Sequence, residues 1–63
     1  MMMYRDIHSG AEYLFINFHR ENPGQPGWVK FIYRASGKTD RWPSDTFFNR
    51  TVTAGNADYP EAA

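Results

Sequence analysis

Hydrophobic and polar residues alternate along most of this chain, so the governing repeat is two rather than 3.6. EYLFINFH, residues 12–19, places Leu14, Ile16 and Phe18 on one face and Tyr13, Phe15, Asn17 and His19 on the other. That is a strand with one apolar and one mixed face. WVKFIYR, residues 28–34, alternates again, with Val29, Phe31 and Tyr33 against Trp28, Lys30, Ile32 and Arg34. β-branched and aromatic side chains fill both runs, as a pleated, half-buried surface prefers. Between them ENPGQPG, residues 21–27, holds two prolines and two glycines and can continue neither strand nor helix.

Shorter elements complete the pattern. A first strand is predicted over residues 3–7, turned at His8-Ser9-Gly10. Residues 39–42 should pair back on WVKFIYR across the ASGK turn, and Pro43 stops that strand because it has no N–H for a ladder. Ser44 is placed to cap one helical turn over residues 45–49, with Asp45 in its first turn. Residues 50–53 supply a last strand, and from Ala54 onward apolar content lapses. The fold class that follows is all-β, mainly strands with one short helical turn, arranged as a small bent SH3-like barrel of four or five strands. Closure would remove the exposed edges that a small sheet otherwise leaves. The structural alternative is an open meander sheet that dimerises through an edge or an aromatic face. One domain is expected over residues 1–55, with a flexible tail over 56–63.

Composition sharpens this picture. A chain of 63 residues lies near the lower limit for autonomous folding, where disulfides, a metal or a partner subunit usually assist. With no cysteine and only His8 and His19, neither disulfides nor a convincing zinc site is on offer, and no metal or cofactor is expected. Aromatic residues at 17% are the substitute, each ring burying a large area. Formal net charge is zero; without the last eight residues, seven basic side chains face five acidic ones, a net +2. That is far from the basic footprint of a dedicated nucleic-acid binder. No run approaches a membrane span, and MMMYRDIHSG has no apolar core of a signal peptide, so a cytoplasmic location is expected, that of the host cell if the gene is a phage's.

The order of landmarks resembles a family of short bacterial and phage proteins of unknown function, small β domains. The matching positions are Tyr4-Arg5, Gly10, Tyr13, Ile32-Tyr33-Arg34, Trp42-Pro43 and Phe47-Phe48, spanning residues 4–52. The loop at 20–27 departs from the family's pattern. The resemblance implies a small β fold and a phage or bacterial source, and carries over no catalytic residue.

Three chemistries remain to be weighed. Gly37-Lys38-Thr39 ends like a phosphate-binding P-loop, but the position that needs the first glycine is Ile32, inside a strand, and no helix follows. Ser36-Gly37 is better explained as a hairpin turn. General acid–base work has Asp6, Glu12, Asp40, Asp45, His8 and His19 to draw on, none in a motif with a nucleophile, so no enzyme and no catalytic residue is predicted. Surface aromatics are the stronger signal, because a domain this small cannot hide eleven rings. Trp28 and Trp42, with Arg34 and Arg41 nearby in the predicted hairpin, are the candidate partner-binding residues, since Trp and Arg are enriched at binding hot spots. Against this stands the plainer reading that the tryptophans complete a thin core and that Arg34 pairs with Asp40 across the strands.

The functional expectation is a small non-enzymatic protein-binding module, phage-encoded, that modulates or inhibits a host or partner protein. Two alternatives stay open. One is an SH3-like nucleic-acid-binding module that adds Lys30 and Arg50 to the surface. The other is a homodimeric structural or assembly protein.

Overall fold

The computed structural model describes residues 1–58. Five strands and one helix follow in the order β1 (Met2–Asp6), β2 (Glu12–His19), β3 (Trp28–Tyr33), β4 (Thr39–Pro43), α1 (Ser44–Arg50) and β5 (Thr51–Asn56). All neighbouring strands are antiparallel, in the spatial order β4-β3-β2-β1-β5. The all-β class with one short helix is therefore what the chain forms, but the sheet does not close into a barrel. β4 and β5 form opposite edges with three strands between them, about 19 Å apart at the usual strand spacing. What covers one side instead is α1, whose buried Phe47 packs against the rings of Tyr4, Tyr13 and Phe31. No helix among the described residues is long and apolar enough to cross a membrane.

The register decides which face is the core. Tyr4, Tyr13 and Tyr33 are cross-strand partners, as are Phe15 with Phe31 and Val29 with Trp42. Tyr13 and Phe15 of the mixed face of β2 thus lie inward, while Asn17 and His19 do not, and the sequence's apolar face of Leu14, Ile16 and Phe18 is not one face. A β-bulge between Phe15 and Asn17 is the reason: it leaves Ile16 without a partner and returns Phe18 to the side of Val29. One inserted residue reverses every later position of a period-two count. On the outer side Met3 and Leu14 are partners, 7% and 0% exposed, and Arg34 reaches across to the Met3 sulfur at 3.6 Å.

Turns and caps follow local chemistry. Gly10 and Gly37 take φ of 77° and 76°, the left-handed region that closes the first and third hairpins without a Cβ penalty. The Gly37 N–H donates to the Tyr33 carbonyl at 2.7 Å and Tyr33 N–H to the Lys38 carbonyl at 2.8 Å. The GKT letters therefore sit on a hairpin. Helix α1 begins one residue earlier than expected: Ser44 is its first residue, Pro43 occupies the capping position, and no side chain caps it. Proline's fixed φ suits that entry, and the Ser44 N–H instead donates to the Gly27 carbonyl at 2.8 Å. β5 continues past Ala54 to Asn56, and the Ala57 N–H bonds the Met1 carbonyl at 2.9 Å. The remainder of the expected tail, residues 59–63, lies outside the described residues.

Gly27 joins the long loop to this frame. It is buried, and a Cβ placed on it would meet the Phe18 ring and the His19 carbonyl. Gly27→Ala should therefore destabilise the fold by about 1–3 kcal/mol through overpacking, read as a lower urea midpoint. An unchanged midpoint would mean that Phe18, 48% exposed, simply swings away.

Candidate functional site

Alternation along β2, β3 and β4 assembles a compact group on the outer face of the sheet. One cross-strand row runs Asn17–Lys30–Arg41 and the next His19–Trp28–Pro43. Trp28 is 40% exposed, and the Arg41 guanidinium lies over its ring at 5.0 Å from the centroid. The loop after β2 walls one side, so that His19, Glu21, Gln25, Pro26, Trp28 and Arg41 line a cleft of about 190 Å³. That is below the ~300 Å³ at which drug-sized pockets begin. A shallow hollow of about 240 Å³ adjoins it over Asn17, Lys30 and the same tryptophan.

Charge gives the group its sign. Among the described residues no carboxylate pairs with Lys30 or Arg41, and Glu21, across the cleft, approaches His19 at 3.9 Å. Asp40 is the cross-strand partner of Phe31 and so faces the other way. It accepts from the Tyr33 hydroxyl at 2.6 Å and from the Arg41 N–H at 2.7 Å. Those bonds, the tyrosine's first, hold its carboxyl below the usual range, while burial, with the aspartate beside it, pushes the Tyr33 hydroxyl up to about 12. The surface left over is cationic and aromatic, with a polar rim.

Of the four residues singled out in the sequence, the fold brings two together. Trp28 and Arg41 form the stack. Trp42 follows Arg41 in the chain and therefore points to the opposite face, where its ring lies 4.8 Å from Phe31 and 5.3 Å from Tyr13. Arg50 covers it there, 5.1 Å from the ring centroid. Arg34 stands at the far end of β3, bonded to Glu12 at 3.0 Å rather than to Asp40. Glu12 also accepts from Arg5 at 3.0 Å, and these two arginines, Arg5 foremost, lower its pKa. Asn17 and His19 are the neighbours that periodicity alone misplaces, because the bulge before Asn17 resets the face. Lys30 was legible, two residues from Trp28 on the same strand.

The remaining acids are dispersed. Asp6 is 1% exposed and accepts four hydrogen bonds, from the Tyr13 hydroxyl (2.7 Å), His8 N–H (2.8 Å), Ser9 N–H (3.2 Å) and Arg50 (3.1 Å). Asp45 accepts from the Thr46 N–H at 2.8 Å. Among the described residues no three His, Cys, Asp or Glu side chains are grouped to hold a metal ion. Comparison of the chain with protein-family models, with curated proteins and with solved structures gives no match.

Proposed function

We propose that this chain is a small non-enzymatic docking protein whose working surface is the outer face around Trp28 and Arg41. The observation that carries this reading is the half-exposed Trp28 stacked under an arginine that no carboxylate among the described residues neutralises, with Lys30 beside it. Tryptophan and arginine are the residue types that dominate binding energy when a partner excludes water from them. Two unpaired cations select a partner surface rich in Asp and Glu, through both encounter rate and register. A chain of this size blocks or redirects a partner more readily than it builds a reaction site, so modulation of a host or partner protein is the mechanism. A phage or bacterial origin and a cytoplasmic place of action, as the family resemblance implies, belong to the same proposal.

Single-stranded nucleic acid uses similar parts, an aromatic platform with flanking cations. Zero net charge, and a face on which Lys30 and Arg41 are the cations unpaired among the described residues, favour the protein. Partner capture by the intact protein should fall at least ~30-fold for Trp28→Ala, the loss of a hot spot of about 2 kcal/mol, with the far-ultraviolet circular dichroism unchanged. Arg41→Glu should act likewise. Capture that survives both changes would remove the proposed surface. Tight binding of a single-stranded oligonucleotide, weakening steeply with salt and quenching Trp28, would transfer the site to nucleic acid. Trp42→Ala is not a test of this surface, because it empties the core.

A further inference from the structure

The two edges of the open sheet differ in whether another strand can be added. At β4 the Tyr33–Lys38 bond and the register Phe31↔Asp40 make positions 38, 40 and 42 the ones that bond to β3. The outward main-chain groups are then those of Thr39, Arg41 and Pro43. The Arg41 N–H is already taken by the Asp40 carboxylate at 2.7 Å, and Pro43 has none. Charge and proline close this edge, as natural sheets commonly arrange.

β5 has neither device. The Ile7 N–H donates to the Arg50 carbonyl at 2.8 Å, and Arg5↔Val52 continues that bonded series. Thr53 lies opposite Tyr4 in the alternate position, so its N–H and carbonyl point away from β1, as does the Thr51 carbonyl. Among the described residues no strand pairs on that side. Residues 51–53 read Thr-Val-Thr, without charge or proline. Val52 is 52% exposed on the outer face beside this edge. On the other face Phe48, 46% exposed, packs against Tyr4 at 5.7 Å and gives an apolar flank.

We infer that the β5 edge pairs with β5 of a second copy of this chain, antiparallel about a two-fold axis through Val52, to give a continuous ten-stranded sheet. The segment is self-complementary in that register. Val52 meets its counterpart at a closely spaced, non-bonded position, and Thr51 faces Thr53 of the other copy in a bonded pair. No charge on residues 51–53 opposes its like, and a chain with formal net charge zero carries no long-range repulsion against itself. The extra residue at Ala54-Gly55, where Gly55 has φ of 91°, ends the regular edge and limits the shared ladder to residues 51–53. Association is accordingly weak, with Kd on the order of 10–100 μM for so small an interface.

This inference uses a different surface from the Trp28 site and stands or falls separately from it. Sedimentation from micromolar to millimolar protein should show a monomer–dimer equilibrium. The Thr53 amide should become protected from hydrogen exchange as concentration rises. Thr53→Pro removes only an outward N–H and should weaken the dimer at least ~10-fold, one outward hydrogen bond or more. Val52→Lys, which sets like charges opposite each other, should do the same should the proline variant fail to fold. Arg41→Glu should leave the dimer unchanged. A monomer at millimolar concentration, a dimer indifferent to the β5 variants, or one abolished by Arg41→Glu would each overturn the assignment.

Discussion

Phe47→Ala is expected to cause the largest loss of stability of any single substitution in this chain. Phe47 is fully buried, and its ring lies 5.2 Å from those of Tyr4 and Phe31, 6.0 Å from Tyr13 and 6.2 Å from Trp42. It is the one helix side chain buried in this cluster, so its loss exposes four sheet rings together. Truncating a buried phenylalanine costs about 3–5 kcal/mol. A domain of this length has roughly 3–9 kcal/mol in total, so the substitution removes between about a third of it and all of it. Phe47→Leu keeps most of the volume and should cost about 1–2 kcal/mol. Circular dichroism during urea denaturation separates the two. A Phe47→Ala chain that unfolds cooperatively near the wild-type midpoint would show that the packing of α1 on the sheet does not hold the fold together.

Asp6 should make stability depend on pH at the acidic extreme. Its carboxylate is lowered from an ordinary value of 3.8 to about 2, chiefly by the Tyr13 hydroxyl, then by the His8 and Ser9 N–H groups and the Arg50 charge, against the opposing effect of burial. A depressed folded value means that the charged form is favoured by folding. The stabilisation is complete above about pH 4 and disappears as pH falls through about 2, for a total of about 2 kcal/mol. Burial, together with the same bond, pushes the Tyr13 hydroxyl up to about 12. Its share is present below the ordinary value near 10 and is lost as pH rises through about 12. Asp6→Asn should cost about 2–4 kcal/mol at neutral pH, because Arg50 loses its counter-charge and an amide nitrogen must face donors. It should also flatten the acid limb of a urea-midpoint profile between pH 4 and 2. An acid limb identical in the two proteins would assign the effect to another carboxylate.

Several of these elements were readable from local chemistry. Strands at 12–19 and 28–34 follow from alternation, the Gly37 turn from its need for positive φ, and the end of β4 from Pro43. What escaped was anything that depends on register. The bulge between Phe15 and Asn17 has no composition of its own, yet it decides that Tyr13, Phe15 and Phe18 share a side. Arg34 finds Glu12 rather than Asp40 because Asp40 lies opposite Phe31, a placement set by the hairpin's bonding pattern. Trp42 and Arg41 are adjacent letters on opposite faces, so their nearness in the chain says nothing about a common surface.

By itself the sequence determined the kind of object this is: a small aromatic β domain without cysteines, turned at glycines and stopped at proline. Those properties belong to single residues and their immediate neighbours, where sterics and hydrogen-bonding capacity act alone. Tertiary structure alone decided that the sheet stays open, that α1 plugs one side with Phe47, and that Trp28, Arg41 and Lys30 meet on the other. Closure and register depend on which strands lie side by side. That choice is made by the summed packing of both faces, which a period of two leaves degenerate.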